Sequence, residues 1–337
     1  MTGLSRRSRT SPLSSPQRWA EQVPAPVAVV VVSWNTRELL AACLDSLAQD
    51  VESGLAEVIV VDNASTDGSA AMVAERYSWA KLIAREENLG FGRAVNLGAL
   101  SAPKAEWIAA ANADIVLAPG ALHTLVDAGG ADPEAGALAP QLLYPDGEPQ
   151  HSVHPFPTAR LMLSFNLGRQ NRDPQWGNRN CLETFWDPRT AREVPWAVGA
   201  FILIRRPAWE AVQGFDEQRF MYAEDLDLGW RLRQHGWSTR YVPEARVQHV
   251  EAAATEQAYG EARTARWQRA TYDWIAVTHG RKTATALALI NTLGAAGRVL
   301  KPNASRAERK ANLKWVRLHA SPLTLGSPFK TKDDLKP

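Results

Sequence analysis

Short apolar runs and amphipathic stretches alternate along the chain from Val27 onward. "VAVVVVS" (27–33) is a continuous, mostly β-branched run, as a strand buried on both faces of a parallel sheet requires. "TRELLAACLDSLAQ" (36–49) repeats its apolar residues at helical period, and "EVIVVD" (57–62) predicts a second buried strand. A helix over "GSAAMVAERY", a third strand over "AKLIA" (80–84), a helix over "GRAVNLGALS" and a fourth strand over "EWIAAANAD" (106–114) follow. Strands and helices alternating at this spacing predict right-handed βαβ units in a Rossmann-like α/β sheet with helices on both faces.

The pattern breaks near Pro140. Residues 141–196 are rich in Pro, Asn, Arg and Trp with little periodicity, as in a functional loop or lid. "AVGAFILIRR" (197–206) predicts a return to a strand and "PAWEAVQGF" a short helix. "FMYAEDLDLGWRLRQHGW" (220–237) puts three carboxylates at the start of an apolar-striped helix, and "TRYVPEARVQHV" (239–250) predicts two short strands. Residues 256–318 read as mostly helical. The expected organisation is a disordered leader over 1–26, a catalytic domain over 27–255 and a helical, basic C-terminal extension over 256–337.

Composition changes this picture in two places. With only Cys43 and Cys181 in 337 residues there is no disulfide framework, and a reducing cytoplasm is the simplest home. Cys43, among leucines at helical spacing, is expected in the core. The net charge of +2 conceals an asymmetry: +3 over residues 1–26, −12 over 27–262 (19 basic, 31 acidic) and +11 over 263–337 (15 basic, 4 acidic). A basic end on an acidic body predicts contact with something anionic. "TALALINTLGAAGRVL" is too interrupted to span a bilayer, but its stripe through Leu287, Ile290 and Leu293 could lie in an interface. Two readings of this end stand side by side: a helical pair packed on the acidic catalytic body, or peripheral contact with a polyanion, of which the anionic inner face of a membrane is the first candidate.

Candidate chemistry gathers at the carboxyl ends of the predicted strands, where doubly wound sheets bind ligands. Ser33 and Asn35 follow the first strand, Asp62 and Asn63 the second, and Asn112 and Asp114 close the fourth. One such turn is an ordinary Asx-rich helix cap; three on one edge favour a site. "ENLGFGRAVN" lacks the third glycine of a dinucleotide fingerprint and follows the third strand rather than the first. It fits better as an amide-rich turn beside a nucleotide or phosphate, with Asn88, Gly90 and Arg93 as its candidate contacts. Glu224, Asp225 and Asp227 suit either a helix cap or acid–base work.

In this order, "VVVVSWNTRELLAACLDSL", "VIVVDNASTDGS", "ENLGFGRAVNLG", "ANADIVL" and "GAFILIRRPAWEAVQGFDEQRFMYAEDLDLGWRLRQHGW" resemble the family 2 glycosyltransferases of GT-A fold. Within the family they are most similar to the bacterial rhamnosyltransferase-like branch that builds cell-surface polysaccharide. The resemblance covers roughly residues 27–250. It implies that Asp62 contacts the base or ribose of a nucleotide sugar, with Ser33 and Asn35 beside it. It also implies that "NAD" (112–114) stands in the DxD place, Asn112 replacing the first acid and Asp114 binding a metal on the donor diphosphate. His249 matches a second metal ligand and Asp225 the base that deprotonates the acceptor hydroxyl. Glu224 and Asp227 would hold geometry or bind acceptor hydroxyls. Apart from the resemblance, Trp176, Trp186 and Trp196 in the irregular stretch and its exit suit either a buried core or a lid that stacks on an acceptor sugar.

The implied reaction is a single inverting displacement with Mg²⁺ or Mn²⁺. The donor is a nucleotide sugar, dTDP-rhamnose first, and the acceptor a glycan or lipid-linked hydroxyl; nucleic acid is not an expected partner. The QxxRW mark of processive members is absent. Two other readings stand beside this one: a catalytically silent nucleotide-binding subunit of the same fold, and a Rossmann oxidoreductase. The first is disfavoured by the joint presence of Asp114, Asp225 and His249, the second by the incomplete glycine fingerprint.

Overall fold

The computed structural model describes residues 25–250 and 262–324. The expected disordered leader lies almost wholly outside these residues. The first half alternates as the apolar pattern requires: β1 (Val27–Ser33), α1 (Arg37–Glu52), β2 (Ala56–Asp62), α2 (Ser69–Arg76), β3 (Lys81–Ala84), α3 (Phe91–Ala99), β4 (Trp107–Asn112), β5 (Ile115–Leu117), α4 (Ala121–Ala131) and β6 (Ala135–Leu143). The irregular stretch holds β7 (Val153–His154), the short helices α5 (Ala159–Asn166), α6 (Arg169–Arg172) and α7 (Pro174–Arg179), and the short strands β8 (Arg192–Val194) and β9 (Trp196–Ala197). There follow β10 (Phe201–Arg205), α8 (Arg206–Val212), α9 (Glu224–Gln234), β11 (Ser238–His249), α10 (Arg263–His279), α11 (Arg281–Val299) and α12 (Arg306–Thr324).

The main sheet runs β3-β2-β1-β4-β10-β6-β11-β5, with β8 added to β11, while β7 and β9 pair apart from it. β1, β2, β3 and β4 are parallel, as the βαβ reading predicts. β10 enters antiparallel between β4 and β6, so the sheet is mixed rather than purely parallel. β11 is one continuous strand where the sequence predicts two, because Pro243 and its neighbours fall in a bulge between Val242 and Arg246 that bends the strand without ending it.

β1 is buried through both faces because helices cover both. Val27, Val29 and Val31 pack with Leu40, Leu44 and Leu47 of α1 and Leu122 and Leu125 of α4. Ala28 and Val30 pack on the other face with Ala94 and Val95 of α3, Trp209 of α8 and Leu228 and Leu232 of α9. Cys43 is fully buried, as expected, and burial pushes its thiol far above the ordinary cysteine range. The C-terminal helices share a third core with the catalytic half: Trp274, Tyr272 and Leu287 pack with Phe156, Trp196 and Leu226. Of the apolar stripe on α11, Leu287 is therefore committed to packing, whereas Leu293 is 62% exposed.

Candidate active site

The sheet register lines up the polar strand ends. Ser33 pairs with Asp62 across β1 and β2, and Val32 with Asn112 across β1 and β4. β11 runs antiparallel to β5 with His249 opposite Ile115, and the Val250 amide donates to the Asp114 carbonyl at 3.0 Å. Two segments separated by more than a hundred residues thus set His249 beside Asp114, with His249 Nε2 3.4 Å from Asp114 Oδ1. Both side chains are buried.

A residue that the sequence reading did not single out governs this pair. The Gln150 amide Nε2 donates to the His249 carbonyl at 2.7 Å, so its Oε1 accepts from His249 Nδ1 at 2.9 Å. With the proton on Nδ1, Nε2 turns a lone pair toward the Asp114 carboxylate and has no hydrogen-bond partner among the described residues. Two acceptors then face each other unless a proton or a metal cation lies between them. One buried carboxylate and one imidazole of fixed tautomer suit a hard or borderline divalent ion. Among the described residues no group of three or more His, Cys, Asp or Glu gathers to hold a metal, so such an ion needs further oxygens from a ligand.

The acidic segment sits on a strained turn. Tyr222 (φ 66°) and Ala223 (φ 63°) are consecutive left-handed residues immediately before α9, a conformation that costs non-glycine residues roughly 1–2 kcal/mol each. The turn brings Glu224 and Asp225 to the mouth of the helix and beneath the sheet edge. Asp225 Oδ2 accepts from the Gly199 amide at 3.2 Å and Oδ1 from the Leu226 amide at 2.8 Å. Burial raises the Asp225 carboxyl against these two bonds. Glu224 is raised by burial and then by the neighbouring Asp225 charge, and its Oε2 is buried with no hydrogen-bond partner among the described residues. Of the two, Asp225 is better equipped to carry the negative charge and Glu224 to keep a proton.

Asp227 has a different task. Its Oδ2 accepts from Arg231 Nε at 2.6 Å, its Oδ1 from the buried Trp274 indole at 3.0 Å, and Arg219 lies at 3.6 Å. It fastens α10 to the base of the acidic turn, a role that only the tertiary structure exposes.

Gly90 is the hinge of the neighbouring wall. At φ +78° a Cβ there would lie 2.1 Å from the Phe220 carbonyl oxygen, so only glycine lets the Asn88–Gly90 turn meet the chain that leads into the acidic segment. Asn63 and Asn88 hold that turn through Gly90 O and N. Trp196, buried, donates its indole N–H to the Pro155 carbonyl at 3.0 Å and stacks on His154. Gly229 of α9 packs against Trp196, where a Cβ would approach to 2.5 Å. Burial, with His151 beside it, holds His154 down to about 3, so the imidazole stacked on Trp196 is neutral.

One pocket of about 480 Å³ collects Asn88, Gly90, Asn112, Asp114, Trp196, Glu224, Asp225 and His249 on its walls. Ser33, Asn35 and Asp62 stand behind that wall. Ser33 hydrogen-bonds Thr36, and Asn35 secures the 65–66 loop through the Ser65 hydroxyl and the Thr66 amide. Asp62 accepts from the Ser65 amide with one oxygen, and its other oxygen is buried with no partner among the described residues. Arg93 stands outside the pocket, 3.8 Å from Glu217 on the surface. The residues that sequence reasoning missed, Gln150 and Trp274, lie in the irregular stretch and the helical extension, where no local pattern marks them.

A mixed sheet covered by helices on both faces, with polar strand ends, a buried Asp–His pair and an acidic helix mouth in one cleft, is the architecture of a GT-A glycosyltransferase. The sequence profile described as "Glycosyltransferase like family 2" matches residues 24–270, and the chain belongs to that family. It is 37% identical over 242 residues to the N-acetylglucosaminyl-diphospho-decaprenol L-rhamnosyltransferase of Mycobacterium tuberculosis, covering 67% of this chain and 76% of that protein. It is also 26% identical over 272 residues to the O-antigen biosynthesis protein RfbC of Myxococcus xanthus, covering 74% of this chain and 20% of that one. In fold it is similar to the mannosyltransferase PcManGT of Pyrobaculum calidifontis in complex with GDP-Man and Mn²⁺, with a TM-score of 0.56, 19% identity and coverage of 91% and 90% of the two chains. It is also similar to GalNAc-T7 with UDP, GalNAc and Mn²⁺, with a TM-score of 0.55, 14% identity and coverage of 90% and 58%.

Proposed function

We propose that this glycosyltransferase transfers a deoxyhexose, with dTDP-rhamnose as donor, to a hydroxyl of an N-acetylglucosaminyl-diphospho-lipid, inverting the anomeric centre. The observation that carries the reading is the convergence of Asp114, His249 and Asp225 on one pocket from three separate parts of the chain. The likeness to the mycobacterial rhamnosyltransferase supports the choice of sugar and acceptor.

In this reading Asp62 serves the nucleoside from behind the pocket wall, holding with Ser33 and Asn35 the loop beside it. Asn88, Gly90 and Asn112 line the wall along the donor. Asp114 and His249 would hold Mg²⁺ or Mn²⁺, which when bound would supply positive charge against the charge developing on the departing diphosphate. Asp225 accepts the acceptor hydroxyl's proton as that oxygen bonds to the anomeric carbon; the nucleoside diphosphate departs from the opposite face. Neutral Glu224 leaves Asp225 as the charged member of the pair, and Trp196 offers a flat apolar face to the acceptor sugar. Asp227 holds α9 to the C-terminal helices, which makes residues 262–324 part of the catalytic unit rather than a separate appendage.

The net charge of +11 over residues 263–337 supports peripheral docking on an anionic, cytoplasm-facing membrane surface, each basic side chain near that surface contributing about 1 kcal/mol. Among the described residues no helix is long and apolar enough to cross a membrane. Incubation with dTDP-rhamnose, Mn²⁺ and N-acetylglucosaminyl-diphospho-polyprenol tests the reaction. The expected result is a lipid product heavier by one deoxyhexose residue with release of dTDP. Absence of transfer from every nucleotide sugar in a donor panel, with Mg²⁺ or Mn²⁺, overturns it.

A further inference from the structure

A second cavity, of about 930 Å³, opens from the first and shares His154, Trp196 and Trp267 with it. It runs between α5 on one side and the α10–α11 hairpin on the other. Its rim leaves large apolar side chains in solvent: Leu163 is 50% exposed, Leu167 65% and Leu293 62%. Three such side chains gathered on the rim of one cavity, rather than scattered singly, mark a binding site for something apolar. Its floor is polar but satisfied. Asn166 donates to Asn291 at 2.9 Å, Asn291 to the Tyr272 hydroxyl at 3.1 Å, and Arg298 to Asn166 at 2.9 Å.

The groove also carries basic side chains. Chain reversal at Gly280, with Tyr272 of α10 bonded to Asn291 of α11, brings the far end of α11 back toward the start of α10. Arg298 and Lys301 thus line the same cavity as Trp267, the residue at the junction with the catalytic pocket, while Arg263 lines the pocket itself. Basic groups and exposed leucines on the walls of one cavity match an amphiphile with an anionic head and an apolar tail.

We propose that this groove seats the isoprenoid chain of the lipid-linked acceptor, with the acceptor's diphosphate met by Arg298 and Lys301 on the groove wall and its sugar reaching Asp225. The assignment rests on the acceptor being a glycosyl-diphospho-lipid. Continuity with the catalytic pocket fixes the direction of the ligand, since one molecule must present a hydroxyl at Asp225 and bury its tail elsewhere.

The test uses the full-length protein and a photoreactive C15 isoprenyl diphosphate. Labelling within residues 159–167 and 287–301 is expected, together with tighter binding of the C15 probe than of methyl diphosphate. Leu163→Asp and Leu293→Asp alter exposed side chains and leave the fold intact; each weakens the probe about tenfold or more while methyl diphosphate binding is unchanged. Labelling elsewhere, equal affinity for the two diphosphates, or unaltered probe binding in both variants overturns the proposal. So does a cross-link between the groove and residues 1–24 or 325–337 in probe-free protein that the probe leaves undisturbed, because the chain's own end would then fill the groove. Transfer to a chainless N-acetylglucosaminyl diphosphate separates the two readings. If it persists while the probe ignores the groove, the lipid site falls and the transferase reading stands. If it fails with every acceptor while the probe labels the groove, the lipid site stands.

Discussion

Replacing Asp225 by Asn tests the chemistry with the smallest change in shape. The wild-type carboxylate accepts two backbone hydrogen bonds, from Gly199 at 3.2 Å and Leu226 at 2.8 Å. An amide can keep one of these with its oxygen, and its NH₂ then confronts the other N–H. Leaving one buried donor unpaired costs about 1–3 kcal/mol, which for a domain of this size lowers Tm by only a few degrees. The catalytic loss is larger. A positioned base contributes roughly 10²–10⁴ in rate, or about 3–5 kcal/mol of transition-state stabilisation. The expected outcome is therefore a 10²–10⁴-fold fall in kcat with donor affinity, measured by calorimetry, within a factor of about two. The pH profile adds a second readout. A base works deprotonated, so activity is present above its pKa and lost as pH falls through it; burial raises Asp225, so the acid limb of kcat/KM lies above the ordinary aspartate value of 3.8. Turnover of the Asn variant within about threefold of wild type, or an acid limb at the ordinary value, refutes the assignment and leaves the acidic cluster as a helix cap.

Four further outcomes follow from the same geometry. Asp114→Ala abolishes Mn²⁺-dependent donor binding, and Gln150→Ala weakens Mn²⁺ about 10–100-fold by freeing the His249 ring; equal donor affinity in EDTA and in Mn²⁺ would remove the ion from the scheme. Gly90→Ala must relieve a contact with Phe220 and a positive φ, so it costs roughly 1–3 kcal/mol or more by denaturant melt and lowers kcat through the displaced acidic turn. Trp274→Phe removes the indole donor to Asp227 and costs about 2–4 kcal/mol, from a charge-assisted bond and a cavity; a thermal scan showing no loss would uncouple α10 from the catalytic turn. Glu224 is raised from its ordinary 4.5, so its contribution to stability is fully present below that value and is lost as pH rises through the raised pKa. Glu224→Gln does not titrate and therefore gains stability over wild type from mildly acidic to alkaline pH, whereas a Tm difference that stays flat across that range contradicts the buried-proton reading.

The parallel half of the fold was legible in the sequence because β1, β2 and β4 are buried on both faces and each helix on one. Runs such as "VAVVVVS" and the leucine stripe through Leu40, Leu44 and Leu47 carry that burial in their own periodicity. The strand-end polar residues were legible too, since a parallel sheet puts the ends of β1, β2 and β4 on one edge wherever the register falls. The antiparallel entry of β10 and the single bulged β11 were not, because the partners that decide them lie far away in the chain. Tertiary structure alone divided the three crowded carboxylates: backbone amides at Gly199 and Leu226 favour the charged form of Asp225, burial and then the Asp225 charge favour the proton on Glu224, and Trp274 with Arg231 claims Asp227 for packing. It alone also turned the imidazole of His249 toward Asp114, through an amide 99 residues away. Local sequence records which residues can be buried or charged; which atom of each meets which partner is settled by contacts between distant segments, and on those the chemistry depends.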